Sequence, residues 1–545
     1  MHHAIGFARR PALAFAVTLA VALVLGACSG TGKVVTDETI EGDGLPPNAG
    51  IDVVFQNYAP AAIEGMVFVP QAMGRPGMVR ISPAKKPALD KQRASYQKAT
   101  TGKEVQGQIL VTLLYDESKA ANLAPEAAKA LLDEAHGVLR EMLAATPDAA
   151  ALESLQMATW FEIGDGNYEA AAGIFQQMIT RFAEKNVATN KAWLAYCHLR
   201  LGHDAEAAKL VEGVLPSPDD PNTAYVIAWS SFRARKHEAA RTAIVTAARG
   251  WKSEGTRAGL EFELVLLLAR TRTGLGEAAA VIAAVAAPRQ YKLLYQLNEA
   301  YAAAGDPDQA IGALEKATQV AGDQMVKSDA VIFRFRQAEY AYLLNDPVRA
   351  ADFAIDTQNK LAGCDATCQA NNAEPVAAGM AQFAQFFHTI YAQTLDERYF
   401  DPAMRLYTAY VAIPGRTDVG EKQRYLEDLK QVKANAKPEA GVHKEELLGN
   451  MMNLHQSRVT GCYEDVLQAE PTLTGSLKFI LNIDDKGVVT GVTTEPAPGA
   501  AAIPAIGTCL ETSSKTWHFP GRSQVGVTAV VVTYNFSPKA PTPPQ

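Results

Sequence analysis

A short motif recurs along the middle of this chain and limits what it can fold into. Six stretches carry a tight turn followed by a small residue: "GNYEAA" at Gly166, "GHDAEA" at Gly202, "RKHEAA" at Arg235, "GLGEAA" at Gly274, "GDPDQA" at Gly305 and "NDPVRA" at Asn345. Aligned on the small residue they give Ala171, Ala207, Ala240, Ala279, Ala310 and Ala350, at intervals of 36, 33, 39, 31 and 40 residues. A seventh unit, "RYFDPAMRLYTAYVAIPG", places Ala403 in the same role. From Ala121 to about Lys433 the chain is rich in Ala, Leu, Glu, Gln and Arg, with apolar residues three and four apart, which is the helix period. Two antiparallel helices approach closely only where a small residue lies at their crossing, and Gly, Asn or Asp eases the turn between them. Phe175, Leu210, Leu314 and Tyr407 then fill the space toward the next pair. The alternative is a generic helical bundle, which would not require so regular a spacing.

The pattern resembles the tetratricopeptide repeat, whose period is about 34 residues. That resemblance implies an α-solenoid of seven helix pairs over residues 121–433, with a concave face that recognises partner proteins. Between units six and seven the sequence predicts an insertion, "LAGCDATCQANNAEP".

The N-terminus sets the compartment. Arg9 and Arg10 precede an uncharged run from Pro11 to about Leu25, too short for a membrane span of about 20 residues and suited to a signal peptide. Leu25-Gly26-Ala27-Cys28 is similar to the bacterial lipobox, so residues 1–27 are expected to be cleaved and Cys28 to be lipidated; an ordinary secretory signal is the alternative. Two or more acyl chains anchor a protein stably. Ser29, rather than Asp, follows the cysteine, which by resemblance to the sorting rule favours the outer membrane, with the protein facing the periplasm. Residues 28–50, polar and rich in Gly and Pro, read as a flexible tether, and residues 51–120 yield no clear element. The formal charge is −8, and a cleaved leader, which removes two arginines and no acid, leaves −10, so nucleic-acid binding has no electrostatic support.

Beyond a linker at 434–444 the composition changes. A helix is predicted across 444–468, a β-hairpin from Leu477, Phe479, Leu481 and Ile483 through "DDKG" to "VVTGV", a second helix around "AIPAIGTCLETSSKTW", and a last strand from Val525 to Phe536. Residues 538–545 read as a disordered Pro-rich tail. Residues 445–537 resemble the AgmX/PglI C-terminal domain, a TonB-like α+β module: "CYE" at Cys462, Pro471, Gly475, Ile483 to Val489, Cys509, Phe519-Pro520, and Val532, Tyr534 and Phe536 match, while Asn535 departs from the family's proline. The fold class is therefore mainly α, a tetratricopeptide-like solenoid followed by a small TonB-like α+β domain. TonB-like modules often bind by strand addition, so the last strand is expected to offer an exposed edge. Lipobox, repeats and tail together resemble cell-envelope proteins of myxobacteria, some of them in adventurous gliding-motility complexes. The partners implied are envelope proteins, bound through the concave face and the C-terminal domain, with the membrane reached through the lipid.

Of the six cysteines, Cys462 and Cys509 lie on helices of one small domain; in an oxidising periplasm they form a disulfide or remain two free core thiols. Cys364 and Cys368 are spaced for a local disulfide, and CxxxC is not the CxxC of a thioredoxin-like redox site. Cys197 reads as a buried free thiol. No HExxH, GxSxG or Walker motif occurs. "NIDDKG" begins like a calcium loop without its later acids, and "GDGN" coincides with a repeat turn. No catalytic residue, metal ligand or cofactor is therefore expected. The function implied is a non-enzymatic scaffold or adaptor of an envelope complex; a factor for outer-membrane protein or polysaccharide assembly and a periplasmic redox protein are the alternatives.

Overall fold

The computed structural model describes residues 51–54, 61–83, 85, 87–252, 254–286, 289–437, 441–523 and 525–539. The leader, Cys28, the tether at 28–50 and residues 540–545 lie outside them. Seven antiparallel helix pairs follow one another. They are α4 (Leu152–Gly164) with α5 (Tyr168–Arg181), α6 (Val187–Leu201) with α7 (Asp204–Leu210), α8 (Pro221–Arg233) with α9 (His237–Gly250), and α10 (Glu254–Arg270) with α11 (Leu275–Ala286). Then come α12 (Gln290–Ala303) with α13 (Pro307–Ala321), α14 (Lys327–Leu343) with α15 (Pro347–Ala362), and α16 (Ala366–Thr394) with α17 (Phe400–Val411). The array is a tetratricopeptide-like α-solenoid, closed by α18 (Val419–Asn435). Ala171, Ala207, Ala240, Ala279, Ala310, Ala350 and Ala403 are all buried in second helices.

The turns follow one rule. Gly166, Gly202, Arg235, Arg272, Gly305, Asn345 and Leu395 each adopt positive φ, between 56° and 79°. In the first six, the amide after the left-handed residue returns to the carbonyl five positions back, as in Asn167 to Glu162 (2.8 Å) and Asp306 to Tyr301 (2.9 Å), satisfying a helix-end carbonyl. In unit four the left-handed residue is Arg272, not Gly274 as the sequence suggested. Asp306 and Asp346, each followed by proline, cap the next helices by accepting from the Gln309 and Arg349 amides. The stretch read as an insertion is helical for most of its length, because Asp365 caps α16 three residues before Cys368.

Residues 51–120 have defined structure. β1 (Ile51–Val54) and β2 (Ala61–Gly65) precede an extended stretch, then α1 (Leu89–Lys98), α2 (Lys103–Ser118) and α3 (Pro125–Ala145). Tyr96, Leu110, Leu114, Leu139 and Met142 of these helices pack with Trp160 and Phe161 of α4. The C-terminal part contains α19 (Glu445–Leu454), α20 (Gln456–Leu467), β3 (Gly475–Ile483), β4 (Val489–Pro496), α21 (Pro504–Ser514) and β5 (Thr528–Pro538). The helix predicted across 444–468 is two, broken at His455.

The sheet runs β1-β5-β3-β4, with β2 also on β5. β3 is antiparallel to both β4 and β5, while β1 pairs with Thr528–Val531 and β2 with Tyr534–Pro538, both parallel. The last strand is thus central, and its expected free edge is paired with the chain's own N-terminal strands at Thr528–Val531 and Tyr534–Pro538. The tail begins later than expected, since Pro538 is in β5 and the Lys539 amide donates to the Gly65 carbonyl (2.7 Å). The described residues form one compact unit, with a hydrophobic core continuous from the repeats into the sheet.

Candidate protein-binding groove

The first helices of the repeats form a face that holds a segment of the same chain. After β2, residues 66–75 run across it. The Gln468 side-chain amide donates to the Met66 carbonyl (2.9 Å) and accepts from the Phe68 amide (3.1 Å), a two-point grip like that of a neighbouring strand. The Arg233 guanidinium donates to the Phe68 carbonyl, and Arg270 lies over the Phe68 ring, 4.7 Å from its centroid. Glu263, on α10, accepts from the Gln71 amide (2.8 Å), the Tyr225 hydroxyl (2.6 Å) and the Trp229 indole (2.7 Å). Tyr225 in turn accepts from the Ala72 amide (3.0 Å). Arg75 donates to the Gly164 carbonyl (3.3 Å) and stacks over Trp160. The segment continues to α2, where Thr112 accepts from the Ile81 amide (2.9 Å).

Burial governs the electrostatics here. It pushes the Glu263 carboxyl up, and the donors around it pull in the opposite direction. Burial also drives the Tyr225 hydroxyl well above its ordinary value, so it stays a donor to Glu263. Arg233 is pushed down by burial and supported by the charge of Asp204.

The C-terminal module lies along the row of turns. Arg270 pairs with Glu464, and Arg272 pairs with Asp465 (2.8 Å) and donates to the Ala304 carbonyl (3.2 Å). A Cβ at Gly461 would lie 2.6 Å from the Ala304 carbonyl oxygen, and one at Gly305 2.7 Å from the Arg458 Cα, so this approach requires glycine on both sides. Further along, Asn345 donates to the His518 carbonyl (3.1 Å), Asp396 accepts from the Gly521 amide (2.7 Å), and the Val442 amide donates to the Gln393 carbonyl (3.0 Å). The end of the stretch read as a linker is therefore held against the seventh unit at Val442. Burial pushes the Glu464 carboxyl up, countered by Arg270.

Past the segment the face continues unfilled by it. Ten residues before each left-handed turn stands an aromatic ring: Tyr225, Phe262, Tyr295 and Phe335 in units three to six. Tyr225 belongs to the filled part. Tyr295 stacks on Phe333 at 4.9 Å, and Phe335 borders a cavity of about 240 Å³ lined also by Ile332, Glu339 and Pro375. Burial raises the carboxyls of Glu299 and Glu339, and Arg336 pairs with Glu339 at 2.9 Å.

Cys462 and Cys509 are bridged, with Cα atoms 5.7 Å apart, tying α20 to α21; Cys364 and Cys368 are bridged at the start of α16. Cys197 is a buried free thiol, pushed up to about 12 by burial. Among the described residues no group of His, Cys, Asp and Glu side chains is placed to hold a metal ion, and no helix is long and apolar enough to cross a membrane. The groove residues Glu263, Tyr225, Arg233 and Gln468 were absent from the sequence reading. Glu263 had a signal, a lone acid in the apolar run "FELVLLLA"; Gln468 had none, because its partners on the segment lie 400 and 402 positions away.

No family model matches this chain, and no curated protein does. Among solved structures, it is similar to a signal-transduction ATPase with numerous domains carrying a tetratricopeptide repeat sensor, from Pyrococcus horikoshii. That match has 12% identity over 69% of this chain and 68% of the other, with a TM-score of 0.23, a likeness too slight to carry an argument.

Proposed function

We propose that this protein is a non-enzymatic scaffold that binds other proteins through extended segments. The observation that carries this reading is the grip on residues 66–75. The first-helix face already holds an extended polypeptide by its backbone amides and carbonyls, and the face continues past it with rings at the same repeat position. Repeat solenoids present extended surfaces of this kind to partners. The similarity of Leu25 to Cys28 to a lipobox supports a diacylglyceryl anchor at Cys28 and an outer-membrane, periplasm-facing position. The resemblance of the C-terminal module to envelope domains supports membership of a cell-envelope complex, with gliding motility the first role to examine. In-cell photo-crosslinking from position 335, followed by identification of what is captured, tests this. Envelope proteins captured from Phe335 and not from an exposed second-helix position support the scaffold; no capture from either contradicts it.

A further inference from the structure

The first-helix face already seats one cation carried by an extended segment. Arg75, at the end of residues 66–75, lies with its guanidinium 4.5 Å from the Trp160 ring centre. Trp160 stands six residues before the left-handed turn at Gly166. The same repeat position holds Tyr196 and Trp229 in units two and three, Leu266 in unit four, and Glu299 and Glu339 in units five and six. The position that meets a guanidinium with a ring in unit one thus carries a carboxylate in the two units past the resident segment.

Those carboxylates are short of positive charge. Arg336 is 2.9 Å from Glu339 and also acts on Glu299, while Asp329 acts on the Tyr295 hydroxyl as a third acid. Burial pushes the Glu299 and Glu339 carboxyls up in spite of Arg336. The group stays open to the groove: Glu299 is exposed, and the Arg336 and Glu339 side chains are 38% and 25% exposed. Tyr295 and Phe335, ten residues before the same two turns, are half-buried rings. A ring face beside a carboxylate suits an ammonium or guanidinium group, which gains from both. Next to Glu339, the cavity of about 240 Å³ has apolar walls from Val331, Ile332, Phe335, Pro375 and Val376, fit for the methylene stem of a lysine or arginine. An acidic side chain would be repelled here, and a neutral one would leave the carboxylates uncompensated.

We infer that units five and six read a basic residue, lysine or arginine, in the extended segment of a partner protein. Its charged head lies between Glu299 and Glu339, with Tyr295 and Phe335 beside it, and its stem lies along Ile332. The inference rests on the scaffold reading for the partner's being a protein, and on this cluster alone for the partner's charge.

The test selects peptides on the chain from residue 28 carrying Cys28→Ser. The probe is a random peptide library of about twelve residues, long enough to cross the open repeats when extended. Bound peptides are sequenced for the otherwise unchanged chain, for Glu299→Gln/Glu339→Gln and for Glu299→Lys/Glu339→Lys. On the unchanged chain, peptides with lysine or arginine should outnumber those with aspartate or glutamate about tenfold. The glutamine chain should lose that preference, and the lysine chain should reverse it. Glu117→Gln/Glu184→Gln removes as much charge from exposed positions outside these units and should keep the preference. Selection of acidic or uncharged peptides by the unchanged chain, equal preference in the unchanged and glutamine chains, loss of preference in the control, or no selection at all overturns the inference. If the glutamine chain fails to fold, Arg336→Gln decides: removal of the competing cation should raise the affinity of a selected basic peptide about threefold, and no change or a fall overturns the inference. The two readings separate in cells. Envelope proteins crosslinked from position 335 through stretches without lysine or arginine overturn the basic-residue site and leave the scaffold standing. No capture contradicts the scaffold, with the peptide selection still deciding the chemistry of the site.

Discussion

At the scale of single residues, the backbone conformation of each turn matters more than the letter that occupies it. Arg235 is an exposed, non-glycine residue at φ 58°, a conformation that strains a side chain with a Cβ. Arg235→Gly is expected to stabilise the protein by about 0.5–1 kcal/mol, because relief of that strain exceeds the added freedom of the unfolded chain. Urea unfolding checks it. Gly305→Ala is expected to cost about 3 kcal/mol, since the new Cβ would meet both a φ of 79° and the Arg458 backbone. The same contrast explains what was legible. The buried alanines follow from spacing alone, whereas Gly274 was taken for the turn because it is glycine. The backbone instead turns at Arg272, whose side chain is fixed by Asp465 and the Ala304 carbonyl, partners that no local reading supplies. His443 gives a pH dependence. Its ring lies buried between Thr528 and the Pro520 carbonyl, and burial pushes it down to about 4. The unfolded chain, with histidine near 6.5, then binds more protons below that pH. The stability is complete above about 6.5 and falls as pH drops toward 4, by about 2 kcal/mol at pH 5. Thermal unfolding at pH 7 and 5 should show the loss, and His443→Asn should reduce it; His455, also pushed down by burial, acts in the same sense.

At the scale of elements, the hairpin, the alternating burial of β3 and the Cys462–Cys509 bridge were readable because each depends on neighbours in the sequence or on a single pairing. α2 was not readable. Leu110, Val111, Thr112, Leu113 and Leu114 are all buried, so the middle of this helix has no polar face and its residues show no helical period. The role of β5 was missed for another reason. Its free edge is filled by strands that arrive from the opposite end of the chain, pairing Ile51 with Thr528 and Ala61 with Tyr534. Replacing Cys462 and Cys509 by serine opens a loop of 47 residues and should cost about 4 kcal/mol by the chain-entropy argument. The loss should be local first, with amides of α20 and α21 exchanging faster than those of the repeats.

At the scale of the molecule, the N-terminal segment, the repeats and the C-terminal sheet support one another. Glu263 is where that dependence is concentrated. Glu263→Ala would leave the Gln71 amide, the Tyr225 hydroxyl and the Trp229 indole without their acceptor, at a cost of about 3 kcal/mol in chemical unfolding. It should loosen residues 66–75 before the helices respond. The central claim is that residues 61–75 are a built part of the fold, joining the sheet to the first-helix face. Hydrogen–deuterium exchange on the mature chain tests it most directly. The amides of β2 should be protected alongside those of β5, and the Phe68, Gln71 and Ala72 amides should be protected by Gln468, Glu263 and Tyr225. Exchange of residues 61–75 at the rate of an unstructured peptide, while α8 and α10 remain protected, would contradict it.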